Sequence, residues 1–128
     1  MFTIIFEKVT EEQCNDIGLQ IQFKDALFIK PGYDMQNFVD NRHWYIITVD
    51  LAEGGGGDYT VFNIFEYISK DKFEQVAYWH SNEVDIELAA LEFWLLCGQL
   101  FNNDRCLWRL EWNTYGALFY NLLKNYNE

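Results

Sequence analysis

Two carboxylates, each at the end of an apolar, strand-like segment, are the residues of this chain best suited to chemistry. Asp50 ends the β-branched run that starts at Tyr45, and Glu111 lies near the end of the run that starts at Cys106. Carboxylate oxygens are the ligands that Mg²⁺ and Mn²⁺ prefer, and Mg²⁺ keeps waters beside substrate phosphates. If the two segments are adjacent parallel strands, both acids lie at the edge where open α/β sheets bind ligands. The sequence therefore indicates a divalent-metal site for phosphodiester chemistry.

The loop that follows Asp50 adds flexible backbone and further acids. Four consecutive glycines, residues 54–57, lie between Glu53 and Asp58. Glycines allow the backbone to approach a ligand closely. The lysine of a phosphate-binding P-loop is absent, and the flanking acids repel a bare phosphate, so phosphate binding in this loop would need a metal.

Each of these features also has a purely structural explanation. Asp50 could be a turn residue at the end of a strand, and the glycines could form a loose hairpin loop. Glu111 could pair with Arg109, which lies on the same face of its strand because strand side chains alternate, or it could face solvent. The spacing of the residues leaves these alternatives open.

Length and charge restrict the class of protein. The 128 residues form one domain or part of one, and the formal net charge of −11 excludes a generic basic surface for nucleic acid. Binding of DNA would then need metal ions or a basic segment outside the chain. Three cysteines without a C-x-x-C spacing argue against a disulfide framework or a zinc site. No apolar run has membrane length and no signal peptide is recognisable, so we expect a cytoplasmic protein.

The hydrophobic pattern predicts an α/β fold whose elements follow the order β-β-β-α-β-α from residue 44 onward. The first three strands are expected to form an antiparallel meander, and Asp85 is expected to cap the first helix. The predicted strands cover residues 44–49, 60–67, 73–79 and 106–112, and the predicted helices cover 86–101 and 114–125.

The first third of the chain is less regular. Residues 1–42 are interpreted as a lead-in segment or arm, with a short strand over residues 2–6 and a loop or helical turn over residues 10–15. Pro31 and Gly32 mark a turn. Residues 43–128 then form the main domain.

The histidines and tryptophans are assigned structural roles. His43 and His80 have no nucleophile or carboxylate at a motif spacing, so they are expected to be surface or packing residues. Tryptophans can stack on nucleobases. Because they lie in predicted strands and a buried helix, we expect core positions instead for Trp44, Trp79, Trp94, Trp108 and Trp112.

Three motifs resemble those of the nuclease domain of the large terminase subunit of tailed bacteriophages, over residues 43–127. Residues 50–59, DLAEGGGGDY, are similar to the family's D-x-x-E-G-x-G-x-D-Y. Residues 74–82, EQVAYWHSN, are similar to its strand that leads to an S-N turn. Residues 110–116, LEWNTYG, match its E-x-N-x-x-G. Their order and spacing make the resemblance specific.

The resemblance implies a partial RNase H-like domain with metal-dependent endonuclease activity that cuts concatemeric double-stranded viral DNA during packaging. Asp50 and Glu111 would be metal ligands, and Asp58 a neighbouring acid that supports or binds Mg²⁺ or Mn²⁺, two ions in the complete domain. Four further residues would shape the loop and the turn into the last helix, namely Glu53, Gly54, Asn113 and Gly116. The implied partners are DNA, other terminase components and the portal, in the cytoplasm of the host cell.

The chain also departs from this family. The family's third aspartate lies further downstream than Glu128, and the ATPase domain is missing, so the resemblance implies a fragment whose activity could be impaired. The first alternative is a non-catalytic RNase H-like interaction module, which could form homo-oligomers through an exposed sheet edge. The second is another RNase H-like activity, such as a resolvase or a strand transferase, because fold alone does not determine function.

Overall fold

The structure is a computed structural model, and it describes residues 4–40, 42–52, 57–98, 101, 106–111 and 115–126. Within these ranges the chain forms a mixed α/β fold around one six-stranded sheet. The strands are β1 (Glu7–Lys8), β2 (Leu27–Ile29), β3 (Tyr45–Asp50), β4 (Thr60–Ser69), β5 (Lys72–Ser81) and β6 (Cys106–Leu110). The helices are α1 (Glu11–Asp16), α2 (Gln36–Val39), α3 (Ile86–Phe93) and α4 (Gly116–Tyr126), with a 3₁₀ turn at Lys24–Ala26.

The middle of the sheet is the predicted antiparallel meander. Strand β3 pairs with β4 from Tyr45 opposite Glu66 to Asp50 opposite Val61, and β4 pairs with β5. Side chains along β3 alternate between buried and partly exposed, as the apolar and β-branched residues of this segment predict. The predicted meander is therefore confirmed, with β3 shifted by one residue and with β4 and β5 longer than the sequence indicated.

Strand β6 lies beside β3 and runs parallel to it. The pairs run from Tyr45 opposite Cys106 to Val49 opposite Leu110. The full strand order is β1-β2-β5-β4-β3-β6, so β6 is an edge strand among the described residues. The condition on which the two-acid hypothesis depends, adjacent parallel strands, is thus met.

The predicted helix over residues 86–101 is helical through Gly98 but changes its helical form, and residues 99 and 100 lie outside the described ranges. Asp85 caps α3 as expected, with its side chain accepting a hydrogen bond from the Leu88 N–H, but regular α-helix ends at Phe93. The chain continues as a π-helical segment over Trp94–Gly98. Hydrophobic periodicity does not distinguish the two helical forms because the apolar residues continue through both. The strand predicted to reach residue 112 ends at Leu110 within the described range.

The amino-terminal segment extends the same sheet. Its first described strand is Glu7–Lys8. Of the predicted strand over residues 2–6, residues 2 and 3 lie outside the described ranges, and residues 4–6 are not in a strand. Thr10 and Gln13 form a reciprocal capping box that starts α1, which explains why this polar stretch is helical. Strand β2 pairs with β5, with Phe28 opposite Tyr78. The proposed domain boundary after residue 42 stays a prediction, although residues 4–40 pack against the rest of the chain.

Two hydrogen-bonded anchors hold this segment in place. The carboxylate of Glu92, on α3, accepts hydrogen bonds from the backbone N–H groups of Gln22 at 2.8 Å and Phe23 at 2.5 Å. At the other end of the sheet, Tyr33 donates to the carboxylate of Glu66 at 3.0 Å. Both carboxylates are buried, and such groups are retained in cores when hydrogen bonds compensate their lost hydration.

The helices cover one face of the sheet. Phe62 on β4 contacts Phe93 on α3 at a ring distance of 5.3 Å, and Phe93 contacts Phe119 on α4 at 5.5 Å. The opposite face, which we call the open face, carries the partly or fully exposed alternate residues of the strands. Its members on the described strands include Phe28, Ile46, Thr48, Asp50, Val61, Asn63, Phe65, Tyr67, Tyr78, His80, Leu107 and Arg109.

Among the described residues, no helix has the length and apolar character needed to cross a membrane.

Candidate functional site

Asp50 and Glu111 come together at the end of two neighbouring strands. Asp50 is the last residue of β3 and is exposed. Glu111 directly follows β6, and its backbone N–H donates to the carbonyl of Val49 at 2.9 Å, which continues the β3–β6 ladder. Because Thr48 lies opposite Arg109, the residues two positions further along each strand, Asp50 and Glu111, fall on the same face. Adjacent strands are about 4.8 Å apart, so the two side chains are neighbours.

Both acids line one shallow hollow on the open face. The hollow also includes Thr48, Asn63 and Arg109. Asn63 is held in position, because its side-chain oxygen accepts a hydrogen bond from the Gln75 amide at 2.8 Å. The hollow thus combines two carboxylates, one guanidinium and neutral polar groups on a rigid sheet.

The acidic side chains of this hollow are free of protein partners within the described ranges. Neither Asp50 nor Glu111 makes a side-chain hydrogen bond or ion pair there, and Arg109 pairs with no carboxylate. The structural alternative in which Glu111 exists to pair with Arg109 is therefore not seen. Two unpartnered carboxylates at one sheet edge have the chemistry of cation ligands.

The other predicted site residues are distributed differently. Asp58 is exposed, comes before β4 and is not among the described residues that line the hollow. Gly116 is buried and is the first residue of α4. Glu53, Gly54 and Asn113 lie outside the described residues.

In the described part of the chain, no group of three or more histidine, cysteine or acidic side chains could hold a metal ion. Asp50 and Glu111 would supply two oxygen ligands. This set fits a hard cation that keeps several waters, as Mg²⁺ does, rather than a cation enclosed by protein ligands.

The histidines were predicted to be surface or packing residues, and each has specific contacts. His43 Nδ1 lies 2.7 Å from the Glu66 carboxylate, near the buried end of the sheet away from Asp50. The ring of His80 stacks on Tyr59 at 4.7 Å and 27°, and partial burial lowers the pKa of His80 below its ordinary value. His80 therefore contributes a neutral aromatic ring to the open face at pH 7.

The tryptophan prediction was correct for Trp79 and wrong for Trp44. Trp79 is fully buried, whereas Trp44 is about half exposed, at 51%. Trp108 is also exposed, at 38%, although it packs against Phe93 on the helix-covered face, so the prediction was wrong for it as well. Trp94 is partly buried against the core, and Trp112 lies outside the described residues. Trp44 directly precedes β3, where no helix covers it, which explains the exposure.

Sequence reasoning missed a group of aromatic side chains beside the hollow. Tyr59, His80, Phe28 and Tyr78 are in ring contact along the open face. The available signal was the alternation of Tyr59, Val61 and Asn63, which places Tyr59 on the same face as Asn63. The contacts from β2 to β5 could not be anticipated because these strands pair across about fifty residues of sequence.

The chain matches no protein-family model, and no curated protein matches it significantly.

Proposed function

We propose that this chain is an RNase H-like nuclease domain of the large terminase subunit type, which hydrolyses phosphodiester bonds of double-stranded viral DNA with Mg²⁺ or Mn²⁺. One observation carries the proposal. Asp50 and Glu111 lie on adjacent parallel strand ends, on one face, with their carboxylates free of protein partners among the described residues. These are the two acids to which the motif resemblance assigns metal binding.

The arrangement of the elements supports the same proposal. Between Tyr45 and Tyr126 the described chain forms three antiparallel strands, a helix, a strand and a helix. This is the β-β-β-α-β-α order that the hydrophobic pattern predicts, and it is compatible with the RNase H-like fold that we propose. The parallel pairing of β3 and β6 is what allows acids that are 61 positions apart in the sequence to act together.

The residues of the hollow would have different roles in the reaction. A bound Mg²⁺ or Mn²⁺ would supply Lewis acidity toward the phosphate and a more acidic water. Asp50 and Glu111 would hold the cation and offset part of its charge. Thr48 and Asn63 would orient water or phosphate oxygens by hydrogen bonds, since both line the same hollow. Asp58 remains a proposed supporting acid next to the glycine loop.

The proposed partners follow from the same family. The domain would act on DNA in the host cytoplasm, together with other terminase components and the portal. Because the net charge of the chain is −11, affinity for DNA should depend on the bound cations and on parts of the complete protein with a basic surface.

Nicking of supercoiled plasmid tests the proposal. We expect the purified chain to nick plasmid with Mn²⁺ or Mg²⁺, to lose activity in EDTA, and to lose at least about tenfold with Asp50→Asn or Glu111→Gln, since each change removes a charged ligand. Glu87→Gln is the matched control, because Glu87 is also exposed but lies on α3, on the opposite side of the sheet. Equal activity of Asp50→Asn and the unmodified chain would contradict the proposal.

Metal binding is measured separately from cutting. A cation that binds only the folded state raises its melting temperature. We expect Mn²⁺ to raise the melting temperature of the unmodified chain and of Glu87→Gln, and to raise it less for Asp50→Asn. If the folded chain binds Mn²⁺ through Asp50 but does not nick plasmid, the proposed metal site is supported and the proposed nuclease activity is refuted.

A non-catalytic interaction module is the second candidate function, and one observation favours it. Apolar side chains are exposed at the end of the open face farthest from Asp50. They form a shallow depression lined by Trp44, Tyr45, Ile46, Tyr67, Phe73 and Leu107. Such a patch is typical of a protein contact surface. Association in the absence of nicking would favour this candidate.

A further inference from the structure

A continuous group of aromatic rings, here called the aromatic row, lies on the open face beside the two acids. Tyr59 stacks on His80 at 4.7 Å, and Phe28 meets the edge of His80 at 5.4 Å. Phe28 also stacks almost parallel on Tyr78, at 5.0 Å and 9°, and Phe6 lies 5.4 Å from Tyr78. Tyr59 is 46% exposed, and the four other rings are partly exposed.

The aromatic row starts two strands away from Asp50, on the same face of the sheet. Val61 on β4 lies opposite Asp50 on one side and opposite His80 on the other. His80 is therefore two strands from Asp50, about 10 Å across the sheet. From there the row continues over β5 and β2 toward β1. A polymer held at Asp50 and Glu111 and lying across the strands would pass over these rings.

The rings of the row do not build the hydrophobic core. The buried core cluster contains residues of the helix-covered face, and none of the five rings belongs to it. Tyr59 and His80 instead line a hollow with polar neighbours, among them Lys24, Ser81 and Asn82. Aromatic rings with hydrogen-bonding groups at their border suit a ligand that has both a flat apolar face and polar edges.

We propose that the aromatic row binds unpaired nucleobases, so that the substrate of the candidate nuclease site carries a single-stranded segment next to the bond that is cut. This inference rests on the proposed function. Every base has a π-face, so stacking on aromatic side chains binds single strands without sequence preference. Bases inside a duplex already stack on their neighbours on both sides, and they offer no free face to Tyr59 or Phe28.

The charges around the row determine how binding should depend on salt. Lys24 is paired with Glu11 at 3.0 Å, and Asp25 and Glu83 border the same hollow. With a net charge of −11, the chain gains little from phosphate contacts. Stacking must then provide most of the affinity, and the affinity should fall only weakly with rising salt, because few counterions are released.

Comparison of an oligothymidylate of about ten nucleotides with an abasic oligonucleotide of the same length tests the inference. Fluorescence anisotropy in EDTA and low salt measures both affinities without cleavage, and their ratio isolates the contribution of the bases. We expect the unmodified chain to prefer the oligothymidylate by about fivefold or more. Tyr59→Ala should abolish this preference, and Tyr59→Phe, which keeps the ring, should retain it.

Tyr67→Ala is the matched control. Tyr67 lies on β4, the strand that directly follows Tyr59, on the same face, and is 45% exposed, but it is at the far end of the sheet. Equal affinity for both oligonucleotides, no binding of the oligothymidylate, or equal loss in Tyr59→Ala and Tyr67→Ala would overturn the inference. Because no metal or cutting enters the measurement, a base preference that persists in a chain without nuclease activity would refute only the proposed function. Asp50-dependent nicking without a base preference would refute only the inference.

Discussion

At the scale of single residues, the chain uses carboxylates in two opposite ways. Asp50 and Glu111 are exposed and unpartnered within the described ranges, whereas Glu92 is 1% exposed and accepts two backbone hydrogen bonds. A buried carboxylate is retained at the cost of its hydration, so its hydrogen bonds must compensate. Glu92 therefore has a structural role, which is to hold residues 22 and 23 against α3.

Removal of the Glu92 carboxylate should loosen the amino-terminal segment. We expect Glu92→Ala to lower the free energy of unfolding by about 2–4 kcal/mol, because the N–H groups of Gln22 and Phe23 lose their acceptor. Chemical denaturation measures the change. Glu87→Ala on the exposed side of the same helix is the control, and it should change the free energy by less than about 0.5 kcal/mol. Similar losses in both variants would refute this role.

Glu92 should also make stability depend on pH in a specific direction. Burial raises the pKa of Glu92 above its ordinary value, and the two backbone N–H donors only partly counteract this. Between the ordinary and the raised pKa the folded state binds more protons, so stability falls as pH rises through this window and returns as pH falls. The free energy of unfolding of the unmodified chain, relative to Glu92→Gln, should therefore increase from pH 7 toward the ordinary carboxyl range. If the difference in free energy of unfolding between the two chains does not change with pH, the prediction is contradicted.

At the scale of elements, the β4–β5 hairpin has a strained position in its two-residue turn. Ser69 pairs with Lys72, and Asp71 between them has φ of 66°, in the left-handed region. This conformation costs a non-glycine residue about 1–2 kcal/mol, somewhat less for aspartate. We expect Asp71→Gly to raise the free energy of unfolding by about 0.5 kcal/mol.

Two further substitutions make the hairpin prediction specific. Asp71→Val should lower the free energy of unfolding by about 1 kcal/mol, because a β-branched side chain fits the left-handed region poorly. Lys70→Gly at the neighbouring turn position should not stabilise, since a positive φ is found at Asp71 and not at Lys70. Thermal or chemical denaturation of the three variants distinguishes the outcomes. Stabilisation by Lys70→Gly equal to that by Asp71→Gly would contradict the assignment of strain.

Elements stabilised by local pattern were predictable, and those stabilised by distant contacts were not. The alternation in β3 to β5 and the cap at Asp85 are visible in neighbouring residues. Strands β1 and β2 have two and three residues, too few for a periodic signal, and form because β5 offers a partner. The hydrogen bonds from Gln22 and Phe23 to Glu92 join residues that are separated by 70 and 69 positions in the sequence, and no local pattern reveals them.

The same distinction applies to the candidate site. The proximity of Asp50 and Glu111 could be expected because each acid ends an apolar strand. Only the structure shows that these two strands are adjacent. The absence of an ion pair between Arg109 and Glu111 among the described residues could not be predicted, since the sequence pattern places both on one face of the strand. The aromatic row was hidden because its rings come from strands β2 and β5 and from the residues that precede β1 and β4.

At the scale of the whole molecule, an exposed apolar surface coexists with a strong negative charge. Leu107 is 68% exposed on the edge strand β6, and it lines the apolar depression together with Trp44, Tyr67 and Phe73. An unpaired edge and an apolar patch both favour association with another chain. The net charge of −11 opposes association between identical copies through repulsion that salt screens.

Association of the chain with itself should therefore increase with salt. We expect a monomer at low ionic strength and a growing dimer fraction as salt is raised, measured by sedimentation velocity over a range of protein concentrations. Leu107→Glu should keep the chain monomeric, because it places a charge in the centre of the apolar surface. Leu118→Glu is the control, since Leu118 is 49% exposed on α4, on the other side of the sheet. Dimers that weaken with salt, or that Leu118→Glu disrupts as strongly as Leu107→Glu does, would show that the open face and the β6 edge do not mediate association.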